Sequence, residues 1–276
     1  MGVRDELIEM RGLRFHFRDW DGPVDDAPAL VMLHGYTGHA RSWDRFARAL
    51  SRRYRVLALD QRGHGETGWA PPDAYGTDEM VADLTAFVAA LGLREFTLLG
   101  LSMGGQVAIH YAGGQPAELA RLVIVDIGPE IIATGMNRIR DNQGNRDVFD
   151  TVEDAFAQAR AVNPRPPEAH QFERVRDSLM RTADGRWTYR FDRALRDPSV
   201  VRARPTSEEN WAAVARIRVP TLLLRGELSD ILARDVAVRM AETIRDCRLI
   251  EIEESGHPIP LDRPERFLEA VEAFLL

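Results

Sequence analysis

A serine between two glycines is the residue of this chain best suited to nucleophilic chemistry. The segment Gly100–Gly104 reads G-L-S-M-G, with Ser102 at its centre. It follows the apolar run Phe96–Leu99 and precedes a predicted helix. Glycine two residues before and two after a serine permits a sharp strand-to-helix turn that projects the side chain outward. We therefore predict that Ser102 is a nucleophile and that the backbone N–H of Met103 stabilises an oxyanion.

A serine nucleophile requires a base, and His257 is the histidine that the sequence places best. It lies in the segment Ser255–Pro258, after the last predicted strand and before the closing helix. Because the carboxyl ends of parallel strands share one sheet edge, His257 and Ser102 are expected to meet there. The other histidines lie in an edge strand, in a helix, in the long insertion described below, or in loops that precede the nucleophile (His16, His110, His170, His34, His39 and His64).

Two aspartates compete for the role of the acid that orients the histidine. Asp230 follows the apolar run Thr221–Leu224 and gives the chain order serine, aspartate, histidine. Asp126 ends the preceding predicted strand, at the same sheet edge. We predict Asp230 as the catalytic acid, with Asp126 as the alternative, because the same geometry can be reached from either strand. If it is not the acid, Asp126 is expected to anchor the start of the insertion by hydrogen bonds.

Composition excludes several other chemistries. All 36 basic residues among the 276 are arginines, so Schiff-base, phosphate-loop lysine and Ser–Lys mechanisms are excluded. One cysteine, Cys247, cannot form a disulfide framework or a thiolate metal cage. A formal net charge of −7 argues against a nucleic-acid partner. The charged N-terminal residues and the lack of a long apolar run predict no signal peptide, no membrane partner and a cytoplasmic location.

Alternating strand and helix patterns predict an α/β fold. Ile8–Trp20 alternates in places and predicts one or two antiparallel edge strands. Later, short unbroken apolar runs typical of doubly buried parallel strands alternate with helical periods. These runs are Ala29–Leu33, Val56–Leu59, Phe96–Leu99, Leu122–Val125, Thr221–Leu224 and Leu249–Ile252. Residues 129–207 contain no convincing strand, so we predict a core of residues 1–128 and 208–276 and a helical cap of residues 129–207 over the carboxyl edge.

Five motifs resemble those of the α/β-hydrolase family, in the family's order. They are His34–Gly38 (H-G-Y-T-G), Asp60–Gly65 (D-Q-R-G-H-G), Gly100–Gly105 (G-L-S-M-G-G), Arg225–Asp230 (R-G-E-L-S-D) and Gly256–Pro260 (G-H-P-I-P). The resemblance covers about residues 29–276. It implies an eight-stranded, mostly parallel sheet with helices on both faces and a cap inserted after the sixth strand.

The same resemblance assigns roles to individual residues. It implies that the backbone N–H of Tyr36 completes the oxyanion hole with Met103. Asp60 and Arg62 are expected to brace loops, and His34 to hold its own loop by hydrogen bonding. Family members that open epoxides or displace halides carry aspartate at the position of Ser102, so those two activities are excluded.

The predicted function is that of a serine hydrolase of the esterase or lactonase type, which cleaves a small-molecule carboxylic ester or lactone through an acyl-enzyme. No cofactor and no metal is expected. A carbon–carbon bond hydrolase of aromatic breakdown and a serine acyltransferase use the same triad and remain alternatives. A ligand-binding protein on the same fold is the non-enzyme alternative.

The cap differs from the rest of the chain in charge. Residues 129–207 contain 14 arginines and 12 acidic residues, whereas the whole chain is negative. This excess motivates a second hypothesis, that the substrate carries a carboxylate. Without lysine, the cation that meets it would be a guanidinium, whose planar fork suits bidentate contact with a carboxylate. The opposing interpretation is that these arginines only solvate helices.

Overall fold

A computed structural model describes residues 2–135, 146–197, 199–200 and 203–276. The strands of the larger sheet come in two groups along the chain. The first group is β1 (Val3–Met10), β2 (Leu13–Trp20), β3 (Ala29–Leu33), β4 (Arg55–Leu59), β5 (Phe96–Leu101) and β6 (Leu119–Val125). Three short strands follow, β7 (Val148–Phe149), β8 (Leu179–Arg181) and β9 (Trp187–Tyr189). The larger sheet then ends with β10 (Thr221–Gly226) and β11 (Cys247–Ile252).

The larger sheet has eight strands in the order β1-β2-β4-β3-β5-β6-β10-β11. The pairs β1–β2 and β2–β4 are antiparallel, and all later pairs are parallel. This confirms the predicted fold class and its antiparallel edge, although β1 begins at Val3, five residues before the predicted start at Ile8. The parallel strands end at one edge, so the loops after β5, β6, β10 and β11 converge there.

Helices cover both faces of this sheet. In chain order, the helices of the described residues include α1 (Asp44–Leu50), α2 (Thr77–Ala90), α3 (Met103–Gly113), α4 (Val152–Val162), α5 (Glu168–Asp177), α6 (Ser207–Arg216), α7 (Arg234–Thr243), α8 (Ile259–Asp262) and α9 (Pro264–Leu275), of which α4 and α5 belong to the insertion after β6. Short 3₁₀ helices span Ala40–Trp43 and Arg193–Arg196. Among the described residues, no helix is both long and apolar enough to cross a membrane.

The central strands lie between two apolar clusters, which explains their unbroken hydrophobic sequence. In β3, Val31 and Leu33 contribute to the cluster that also contains residues of α2, α3, α6 and α7. Leu30 and Met32 contribute to the opposite cluster, with residues of α1 and α9. Because alternate side chains point to opposite faces of a strand, both sets must be apolar. This sandwich is the rigid base that carries the loops of the carboxyl edge.

The segment between β6 and α6 contains α4 and α5, as expected, but it is not wholly helical. Strands β7, β9 and β8 form a small antiparallel sheet in that order. The prediction of an insertion without strands is therefore wrong. Strands of two or three residues are too short to show alternation, and the tight turn at Gly185 (φ +82°) joins two of them. The cap boundaries at residues 129 and 207 stay a prediction, and residues 136–145, 198 and 201–202 lie outside the described part.

Direct contacts hold the cap against the core. The backbone N–H of Gly65 donates to Arg190 O over 2.7 Å, and that of Asp192 donates to Gly63 O over 2.8 Å. The Tyr36 hydroxyl donates to Leu195 O over 2.7 Å. The cap therefore packs on the loops that follow β3 and β4, at the sheet edge where Ser102 lies.

Candidate active site

Ser102 occupies a strained turn between β5 and α3. Its backbone has φ 53° and ψ −116°, a conformation that residues other than glycine rarely adopt. The flanking glycines explain how this turn is accommodated. A Cβ added to Gly100 would lie 2.2 Å from Gly104 O, and one added to Gly104 would lie 2.5 Å from Leu33 O. The G-x-S-x-G spacing is thus required by backbone contacts on both sides of the serine.

His257 lies between the serine and a carboxylate, as a general base must. Its Nε2 is 2.8 Å from Ser102 Oγ, and its Nδ1 is 2.8 Å from Asp126 Oδ2. A carboxylate only accepts hydrogen bonds, so Nδ1 carries the ring proton and donates a hydrogen bond to Asp126. That tautomer leaves Nε2 free to accept the hydroxyl proton of Ser102. The structure therefore brings together Ser102 and His257, the predicted nucleophile and base.

Asp126 is fixed by its surroundings. Its side chain is fully buried, and its backbone has φ 51°. Oδ1 accepts the backbone N–H of Gly226 over 2.8 Å, and Oδ2 accepts the Ser229 hydroxyl as well as His257. Three donors therefore hold its carboxyl group in one orientation.

The assignment of Asp230 as the orienting acid is corrected, because the structure gives that position to Asp126. Nδ1 of the histidine has one N–H to donate, and Asp126 accepts that hydrogen bond. Asp230 lies one residue beyond Ser229, and its carbonyl faces Gly135, where an added Cβ would lie 2.1 Å from that oxygen. Ser229 is the residue of this loop that reaches the acid.

Strand register explains why Asp126 is the partner. In the β5–β6 pair, Leu101 is directly opposite Val125. Ser102 and Asp126 are the next residues of the two strands, so both leave the sheet at the same level. The apolar run that ends at Val125 marks this position in the sequence, but the pairing of β5 with β6 becomes visible only in the fold.

The loop after β3 lies against the nucleophile, where the oxyanion hole is predicted. A Cβ added to Gly35 would lie 3.3 Å from Ser102 Cβ, so this loop approaches closely because it carries glycine. Tyr36 follows in the chain and is tied to the cap through its hydroxyl. Met103 is the first residue of α3, where a helical N–H has no acceptor within the helix. These positions suit the predicted roles of the Tyr36 and Met103 amides.

His34 braces the loop that follows β3. Its Nδ1 donates to Gly35 O over 2.9 Å, and its Nε2 accepts the backbone N–H of Gln61 over 3.0 Å. Burial, together with the charge of His64, lowers the pKa of His34 to about 3. The ring therefore stays neutral at pH 7 and holds the loop, as the resemblance implied.

Asp60 and Arg62 brace the loop that follows β4. Asp60 accepts the backbone N–H groups of Ala40 and Glu66 and contacts the ring of His16. Burial opposes its charge, but the hydrogen bond from His16 and the other partners lower its pKa to about 2. Arg62 donates to Asp83 and to Ala74 O. Both residues therefore support loops, as predicted.

Comparison with known proteins identifies the family. The family model of the alpha/beta hydrolase fold matches residues 28–264. The chain belongs to the α/β-hydrolase family. This α/β-hydrolase is 26% identical to the 3-hydroxybutyrate-oligomer hydrolase of Cupriavidus necator, over 98% of this chain and 96% of that protein. It is 30% identical to the N-formylmaleamate deformylase of Pseudomonas putida, over 97% of this chain and 95% of that protein.

A solved structure shares the complete architecture. The crystal structure of an alpha/beta hydrolase from Novosphingobium aromaticivorans superposes with a TM-score of 0.87 at 29% identity, over 99% of this chain and 98% of that one. Together with the relatives, it places the chain among hydrolases of the α/β fold. Within the described residues, no group of three or more histidine, cysteine or acidic side chains could hold a metal ion.

Proposed function

We propose that this chain is a serine hydrolase that cleaves a carboxylic ester or lactone through an acyl-enzyme on Ser102. The observation that carries the proposal is the continuous hydrogen-bonded chain from Ser102 Oγ through His257 to Asp126. Such a chain activates a hydroxyl that is otherwise a weak nucleophile. The cysteine of the chain, Cys247, lies in β11, and burial raises the pKa of its thiol to about 12, so it offers no competing thiolate.

The geometry supports a two-step reaction. Ser102 Oγ attacks the carbonyl carbon while His257 Nε2 takes the hydroxyl proton, and the tetrahedral oxyanion forms beside the amides of Tyr36 and Met103. The imidazolium then protonates the leaving alkoxide, which leaves the acyl group on Ser102. Water attacks this ester with His257 again as the base; the bond between the acyl carbon and Ser102 Oγ then breaks, the imidazolium returns its proton to Oγ, and the acid is released. Asp126, in place of Asp230, holds the histidine tautomer and stabilises the imidazolium.

The relatives support hydrolysis of acyl compounds. The Cupriavidus necator protein is named for hydrolysing 3-hydroxybutyrate oligomers, and the Pseudomonas putida protein for removing a formyl group from N-formylmaleamate. Both reactions break a bond between an acyl carbon and a heteroatom. We take the ester or lactone as the substrate class of this chain, because an alkoxide is a better leaving group than the amine of an amide and the acyl-enzyme therefore forms more readily.

A fluorophosphonate probe tests the nucleophile. The wild-type protein is expected to be labelled at Ser102, and Ser102→Ala to remain unlabelled. Short-chain methyl esters and lactones should be hydrolysed by the wild type alone. Product analysis with added alcohol separates a hydrolase from an acyltransferase, because transfer would produce a new ester. A folded wild-type protein that takes no label and cleaves no ester would overturn the proposal.

A further inference from the structure

A small cavity lies beside the nucleophile, between the core and the cap. Gly35, Leu101 and Pro258 line it on the side of the catalytic residues. Ser42, His170 and Arg174 also line it, the last two from the cap helix α5. Its volume is about 30 Å³, which is room for about two water-sized groups. Gly35 also faces Ser102, so a ligand in this cavity is adjacent to the reacting atoms.

Arg174 is the charged residue of this cavity, and within the described part of the chain its guanidinium has no hydrogen-bond or ion-pair partner. Burial lowers its pKa, and Tyr189 opposes this effect. Its neighbours on the cap are different: Arg176 binds Asp177 over 2.8 Å, and Arg160 donates to Pro166 O and Gln171. Burying a cation without an anion costs folding free energy. Such a cost is offset when a bound ligand supplies the negative charge.

Two further polar atoms line the cavity and make no hydrogen bond to the described residues. Ser42 Oγ and His170 Nδ1 are both buried, and neither has a hydrogen-bond partner among the described residues. Burial lowers the pKa of His170, assisted by the charges of Arg45 and Arg174, so its ring is neutral at pH 7. A hydroxyl and a neutral imidazole can both donate a hydrogen bond. Together with the guanidinium they suit a ligand group that only accepts.

We propose that Arg174 binds a carboxylate of the substrate, and that the enzyme acts on esters or lactones carrying this second, ionised carboxyl group close to the scissile carbonyl. A carboxylate has two acceptor oxygens, which matches the cavity's volume and the fork of a guanidinium. The proposal rests on the proposed function for the reaction and identifies the substrate class. It also selects one arginine from the 14 of the cap.

Matched esters test this specificity. Monomethyl and dimethyl esters of malonate, succinate, glutarate and adipate differ only in one ionised carboxyl group. The wild type is expected to prefer the monomethyl ester of at least one length. Arg174→Gln should lower kcat/KM for that ester by about 10- to 100-fold, the usual effect of losing hydrogen bonds to a charged group. Its kcat/KM for the diester should change by less than about threefold.

Arg176→Gln is the control, because Arg176 lies on the same helix with its side chain 54% exposed and pairs with Asp177. It should match the wild type on both ester classes. Arg174→Lys retains the charge without the fork and should fall between wild type and Arg174→Gln. Equal loss on both esters in Arg174→Gln, or a wild type that does not prefer any monoester, would overturn the carboxylate site.

Two readouts separate this proposal from the proposed function. Fluorophosphonate labelling reports Ser102 alone, and Arg174→Gln should label as well as the wild type. Free glutarate or succinate should raise the melting temperature of the wild type but not of Arg174→Gln. Arginine-dependent binding without labelling would retain the carboxylate site and overturn the serine chemistry. Labelling of Ser102 without arginine-dependent binding and without a preference for a monoester would retain the serine chemistry and overturn the carboxylate site.

Discussion

Asp126→Asn should inactivate the enzyme by reversing the tautomer of His257. The Gly226 N–H must face an oxygen, so the amide oxygen of the new side chain takes the Oδ1 position and its NH₂ takes that of Oδ2. Ser229 Oγ already accepts from two backbone N–H groups, so it cannot accept a third donor easily. The NH₂ group therefore donates to His257 Nδ1 and moves the ring proton to Nε2.

With a proton on Nε2, the histidine cannot take the proton of Ser102. The expected loss in kcat is about 10⁴-fold, or about 5 kcal/mol of transition-state stabilisation. Initial rates with a chromogenic short-chain ester measure it, and thermal unfolding confirms that the variant is folded. Asp230→Asn is the matched control and should keep near wild-type kcat. The reasoning is refuted if Asp230→Asn is inactive while folded Asp126→Asn keeps more than about a tenth of the activity.

Three further predictions concern stability. Gly100→Ala should lower the free energy of unfolding by about 1–3 kcal/mol or more in denaturant titrations, because its Cβ would lie 2.2 Å from Gly104 O; an unchanged midpoint would contradict this. Arg174→Met should raise the melting temperature by about 2 °C, since it removes a partly buried charge that has no ion-pair partner among the described residues; a melting temperature below that of the wild type would contradict this. Burial opposes both charges of the His16–Asp60 pair, but their hydrogen bond raises the pKa of His16 and lowers that of Asp60 to about 2. The pair should therefore contribute most to the free energy of unfolding between about pH 4 and 6.5. Its contribution should decrease at higher pH, where His16 loses its proton, and at lower pH, where Asp60 gains one. Denaturant titrations across pH should show that His16→Gln lacks the decrease at high pH.

The sheet and the nucleophile could be predicted because their signals are local. Each parallel strand is buried on both faces, so it appears as a short apolar run whose length and boundaries are visible in the sequence. The turn at Ser102 is also visible in the sequence, since a Cβ at Gly100 would meet the backbone of Gly104 and a Cβ at Gly104 would meet Leu33 O of β3, so both positions require glycine at a fixed spacing from the serine. Local steric demands of this kind restrict residue types directly.

The acid could not be chosen in the same way, because its identity depends on strand order. Asp126 and Asp230 each follow a buried strand, and β6 and β10 are neighbours in the sheet. The decisive fact is that Leu101 and Val125 are paired, which brings the residues after them together. Ser229, which completes the environment of Asp126, comes from the loop that also contains Asp230. Both loops therefore contribute to the site, one with the acid and the other with a hydrogen bond to it.

The arginines of the cap are a second case in which the sequence could not identify the functional residue. Its arginine excess indicated a carboxylate on the substrate, but the number of charges does not distinguish a binding residue from a surface ion pair. Arg176 and Arg186 are as prominent in the sequence as Arg174, yet each contacts an aspartate close to it in the chain. Arg174 differs because it lines the same cavity as Gly35 and Leu101 and has no anionic partner among the described residues. The property that suits it for recognition is thus a missing partner in three dimensions, and it predicts that function and stability oppose each other at this residue.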